Sequence, residues 1–180
     1  MKNQNTKKLA YAALFLALCL VLPMLTGQIP QIGSMLLPMH IPVLLCGLVC
    51  GWQYGAVVGF VAPLLRSVLF GMPPMYPVAI AMAFELLTYG LVIGLVYRRM
   101  AQKGAAGVYA ALVTAMVAGR LVWGVAEVVL LGLGGKAFTV QAFLAGALLN
   151  AVPGIIVQLV LIPAVMAALQ KAGAVKEYAE

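Results

Sequence analysis

Aspartate is absent from this chain and histidine occurs once, at position 40, so no Ser–His–Asp arrangement can be assembled from it. Charged residues make up 8% of the 180 residues, against roughly 25% in soluble domains, which excludes a solvated globular surface. The three cysteines supply no disulfide framework. Cys46 and Cys50 lie four apart in one apolar run, but no histidine or further cysteine accompanies them as a metal site requires. Together with Cys19 they read as small apolar residues in the reduced state. Glu85 and Glu127 lack the partners of an intramembrane metalloprotease. "GLGGKAF" at 132–138 has the glycines of a phosphate loop, yet alanine follows Lys136 where Ser or Thr is needed. The expectation is a chain that is no enzyme, has no nucleotide site and takes no cofactor or metal.

What remains is hydrophobic: 65% of the residues, in runs that match the ~20 residues needed to cross a bilayer. Proline, glycine and charge divide the chain into six apolar segments, at about 9–26, 38–51, 54–70, 77–97, 105–133 and 138–169. We expect an all-α membrane protein, one domain over residues 1–180, built as a six-transmembrane-helix bundle. The basic start before Leu9 resembles a signal peptide, but the apolar core is long and no small-x-small cleavage site follows it promptly, so a retained first helix is expected.

The formal net charge of +7 does not point to nucleic acid, because Lys2, Lys7, Lys8, Arg98, Arg99, Lys103, Lys171 and Lys176 all fall at helix ends. Lys and Arg gather on the cytoplasmic side of membranes, so the spacing predicts both termini inside and the loops at 27–40 and 71–77 outside. Gly47, Gly51, Gly55 and Gly59 recur every fourth residue, as do Gly90 and Gly94, a spacing that lets membrane helices approach closely. Ala13 and Ala17 form a further small-residue face on the first helix.

Charges at bilayer depth are costly and usually face a cavity or a partner. At ~1.5 Å of rise per residue, Arg66, Glu85, Arg120, Glu127 and Asn150 all fall between the outer boundary and the midplane. Arg120, Trp123 and Glu127 share one face of the fifth helix, and Asn150, Gly154 and Gln158 form a stripe on the sixth. Two readings of these groups compete. They are ion pairs that fix packing, Arg66 with Glu85 and Arg120 with a further glutamate, or they line an outward cup. In the cup Trp123 offers its ring to a ligand and Pro153 frees backbone carbonyls. The cup is the preferred reading, and His40, at the mouth of the second helix, is assigned a capping or interfacial role.

With "ALFLA" at Ala13 to Ala17 and "LLPMHIPVLLCGLVCGWQYGAVVGFVAPLLRSVLFGMPP" from Leu36 to Pro74, the chain resembles the substrate-binding S components of energy-coupling factor (ECF) vitamin transporters. The long block is similar to the branch of the riboflavin and pantothenate S components. The resemblance covers nearly all of the chain. It implies a bacterial cell membrane protein whose Ala13 and Ala17 contact a transmembrane coupling subunit, itself joined to paired cytosolic ATPases. It further implies vitamin-like substrate bound near the outer surface, capped by the first and third loops, and delivered by toppling of the whole subunit. Substrate identity does not carry over: pantothenate would use Arg66 or Arg120, a queuosine precursor Glu85 or Glu127 with Trp123. The other classes are a standalone small-solute carrier and a non-transport structural subunit.

Overall fold

The computed structural model describes residues 2–25, 35–100, 104–135, 137–146 and 150–173, and everything structural below concerns these. They form α1 (Lys2–Leu25), α2 (His40–Cys50), α3 (Trp52–Phe70), α4 (Ile80–Met100), α5 (Ala105–Leu133), α6 (Val140–Leu144) and α7 (Val152–Lys171). The segment Met75–Ala79, kinked at the extended Tyr76 (φ −115°, ψ 134°), runs directly into α4. Lys136, Lys103, Lys176 and most of the 27–40 loop lie outside the described residues.

Five stretches are long and apolar enough to cross a bilayer: Gln4–Leu25, Trp52–Phe70, Met75–Met100, Ala105–Leu133 and Val152–Lys171. The expected second crossing, α2, has 11 residues. At ~1.5 Å per residue it rises about 17 Å, short of the ~30 Å hydrocarbon core. It is apolar all round because it is enclosed, touching α1, α3, α4 and α7, with every residue except Ile41 buried. Val43, Leu44 and Leu48 of this helix, with Leu86, Ile93 and Leu112, make the centre of the core. The outward sides of the long helices carry Leu14, Val57, Val68, Val117, Leu121 and Val160, all exposed. Apolar exposure on this scale suits lipid, not water. The chain is a multi-pass membrane protein.

Lipid tails are as apolar as leucine, so membrane helices gain little from hydrophobic contact with each other and depend on close packing. The glycines supply it. A Cβ at Gly90 would lie 2.1 Å from the Gly55 carbonyl oxygen, and one at Gly59 would lie 2.2 Å from the Leu86 oxygen. The spacing read from sequence is therefore a three-helix contact of α2, α3 and α4 within one chain. Gly51 turns α2 into α3 in a single residue at φ 96°, a conformation that favours glycine.

The expected sixth segment, 138–169, is not continuous. Thr139 caps the five-residue α6 by accepting from the Ala142 N–H at 3.1 Å, and α7 begins only at Val152. Pro153 stands in the first turn of α7, where its missing N–H costs nothing. It opens a helix, so the backbone carbonyls expected to be freed within a sixth helix are not freed by it. Asn150 consequently lies outside α7, in the preceding turn, and shares no helical stripe with Gly154 and Gln158.

Interhelix contacts define two ends of the bundle. At one, the Gln170 side chain donates to the Tyr97 hydroxyl at 3.2 Å, and Gly107 abuts the Met100 carbonyl. Lys7, Lys8, Arg98, Arg99 and Lys171 belong to this end through their places on α1, α4 and α7. At the other, the Tyr76 hydroxyl donates to the Leu130 carbonyl, and Gly154 packs on the backbone of Met35 and Leu36. Residues 35–39, 71–76 and 137–146 thus all gather at the end remote from the basic residues.

Candidate functional site

Glu85 stands six positions into α4, near the covered end, and is 1% exposed. Its Oε1 lies 3.0 Å from Arg120 Nη1 of α5 and 3.4 Å from His40 Nε2 at the first turn of α2. Tyr89, one turn further along α4, turns its hydroxyl to the same carboxylate and meets the His40 ring edge-on at 5.2 Å. Gly119 makes that possible: a Cβ there would lie 2.6 Å from the Tyr89 ring. Three helices thus bring these groups together in the protein interior, where an unpaired charge is costly.

The pairing leaves hydrogen-bonding capacity over. Arg120 Nε and Nη2, both His40 nitrogens, Glu85 Oε1 and Gln158 Nε2 are buried without a hydrogen-bond partner among the described residues. The contact at 3.0 Å neutralises charge without aligning a hydrogen bond. Gln158, 1% exposed, stands level with Glu85. Both lie twelve residues before the Gln170–Tyr97 contact, about 18 Å along parallel helices. Buried native polar groups are paired with protein or water in nine cases of ten, so this concentration of orphaned polar atoms sets the level apart from the rest of the core.

Toward the covered end, α5 continues with Trp123 and Glu127. The Arg120 guanidinium carbon lies 5.9 Å from the Trp123 ring centroid. Phe143 of α6 stacks on Trp123 at 6.1 Å and Phe138 meets it edge-on at 5.8 Å. Gly124 and Gly146 leave the room these rings occupy. Trp123 is thus built into an aromatic cluster that ties the 137–146 segment down. Glu127 is buried two turns beyond Arg120, within electrostatic range of Glu85, and forms no ion pair among the described residues.

The remaining candidates fall elsewhere. Arg66 does not meet Glu85: its Nη1 donates to the Leu20 carbonyl of α1, and its guanidinium lies 5.2 Å from the Phe70 ring centroid. It is a latch between α1 and α3, not part of the polar cluster. Arg66→Met keeps the side chain's length and removes the donor, so thermal unfolding in detergent should show a loss of about 1–3 kcal/mol. An unchanged midpoint would remove the latch from consideration. Asn150 is exposed, its backbone N–H donating to Ala145 at 2.9 Å. Ala13 and Ala17 are exposed on α1 beside Ala10 and Leu14, opposite the inward Ala12, Phe15 and Cys19.

The family model for the substrate-specific component of ECF transporters matches residues 7–166. The chain belongs to this family. No curated protein and no solved structure gives a match. Members are substrate-binding membrane subunits of ECF transporters, not enzymes, and work with an ECF module. In this S component His40 and Tyr89 join Glu85 and Arg120, whereas the sequence assigns His40 a capping or interfacial role and gives Tyr89 none. Tyr89 carried a signal, since it stands one turn from Glu85. His40 carried only its isolation, being the single histidine in an apolar chain.

Proposed function

We propose that this S component captures a vitamin-like micronutrient at the outer face of a bacterial cell membrane, in the polar cluster of His40, Glu85, Arg120 and Gln158, with Trp123 and Glu127 above it. The observation that carries this reading is the set of buried donors without partners around a single ion pair. A purely structural pair would have no use for a free guanidinium edge. Arg66 is withdrawn from the binding set because its donor is engaged by Leu20, and Asn150 because it stands outside α7.

In this reading α2, extended by residues 35–39, completes a sixth crossing. The end carrying Lys7, Lys8, Arg98, Arg99 and Lys171 faces the cytoplasm, as basic residues favour. The three connecting segments then close the outer mouth. The exposed Ala13–Ala17 face of α1 docks on the transmembrane coupling subunit, which toppling of the S component and ATP hydrolysis by two cytosolic ATPases require. Long similarity over Leu36 to Pro74 supports the riboflavin and pantothenate branch.

The test separates capture from delivery. Ala13→Trp with Ala17→Trp is expected to leave ligand binding by the purified subunit intact and to abolish uptake by cells that express the full transporter. Undiminished uptake would refute the docking assignment. Absence of any co-purifying or stabilising small molecule would refute capture.

A further inference from the structure

Arg120 divides its guanidinium between two tasks. Nη1 faces Glu85 Oε1 at 3.0 Å, whereas Nε and Nη2, which form the opposite edge, are buried and without a partner. That edge presents two parallel N–H groups, the fork that accepts a planar pair of oxygens. Gln158 adds one more free donor at the same level, and it is 1% exposed. Donors are not what this place lacks; it lacks an acceptor for them.

We propose, on the basis of the capture reading above, that the ligand carries a carboxylate seated on the Nε/Nη2 edge of Arg120, with Gln158 Nε2 as a third donor. The guanidinium then bridges two carboxylates, one from the chain and one from the guest. A phosphate is disfavoured, because among the described residues its second charge would find no further Lys or Arg side chain. Arg66 is turned away to Leu20, and the lysines of α1 and α7 belong to the opposite end of the bundle. A neutral carbonyl compound fits the fork but forgoes the stronger charge-assisted bond in a dry setting.

The other end of the guest follows from α5. Glu127 stands seven residues beyond Arg120, on the same face and about 10 Å along the axis, buried and unpaired among the described residues. Its ionised form accepts only, so a guest that pairs with the carboxylate presents a hydroxyl, amine or ring N–H there. The ligand class is therefore an elongated carboxylic acid with a hydrogen-bond donor about 10 Å from its carboxylate.

Two measurements decide it. Small molecules extracted from the purified, as-expressed protein are identified by mass spectrometry, and thermal shifts are recorded with matched acid and neutral probes, pantothenate against pantothenol and biotin against biotinamide. The expected result is a carboxylic acid in the extract or a stabilising acid probe whose neutral counterpart binds about 10–100-fold more weakly. Arg120→Lys keeps a cation for Glu85 and removes the fork, and should weaken the acid by a similar factor while the protein stays folded. A ligand without a carboxylate, equal binding of acid and neutral form, or an Arg120→Lys protein that binds as before overturns the proposal and leaves capture standing. An empty extract with no shift from any probe overturns both.

Discussion

Glu85→Ala is expected to be the most damaging single side-chain deletion in the polar cluster. Among the described residues it strips the one carboxylate paired with Arg120 and His40, leaving the guanidinium without a counter-charge there. Breaking a buried pair from one side costs about 3–5 kcal/mol, because the surviving charge has lost its compensation. The purified protein should unfold at markedly lower temperature in detergent, or fail to give a monodisperse peak. Removing both charges together is a different matter. Glu85→Leu with Arg120→Met should recover most of the stability, since an apolar pair of similar volume replaces the ion pair at little cost. That double variant should be folded and unable to bind ligand. If Glu85→Ala melted as the parent does, the pair would carry no structural weight and the account of the cluster would have to be abandoned.

Gly90→Ala is the second large effect, from one methyl group. The new carbon would be 2.1 Å from the oxygen and 2.2 Å from the carbon of the Gly55 carbonyl. Both are backbone atoms in a helix, so no rotamer relieves the clash; α3 and α4 must separate. Overpacking typically costs about 1–3 kcal/mol where side chains can shift, and here the backbone must yield, so the loss should lie at or above that range. Separation would also carry Glu85 away from His40, because α2 is clamped to the same contact through Gly47 and Gly55. Gly132→Ala provides the control: nothing lies within 4 Å of its added carbon. In a helix that exchange should be neutral or gain about 0.5–1 kcal/mol. Comparable thermal midpoints for the two variants would mean that the glycine contact is not what holds the bundle.

Individual residues show how far local pattern reaches. Arg120, Trp123 and Glu127 were recognisable as neighbours on one face, because the helical repeat decides azimuth and depth within a single element. The glycines at 47, 55, 59 and 90 were recognisable as close-contact points for the same reason. Arg66 was not readable in that way. It shares a depth band with Glu85, but α3 turns it toward α1, and nothing in a periodic pattern says how one helix is rotated against the next. His40, given a capping or interfacial role by the sequence, lies buried against Glu85, and a single histidine has no internal partner to betray that placement. The break between α6 and α7 was hidden by continuous hydrophobicity, and only the cap at Thr139 and the placement of Pro153 at a helix start reveal it.

Composition and spacing alone determined that this chain lives in lipid and crosses it with apolar helices, with most of its basic residues at helix ends. Those properties are local sums over neighbouring residues, and they follow from the cost of exposing polar groups to hydrocarbon. Which buried charge meets which was a matter for the assembled bundle. Glu85 chose Arg120 and His40 over Arg66 because glycine contacts press α2, α3 and α4 together at one rotation, and that rotation depends on every helix at once.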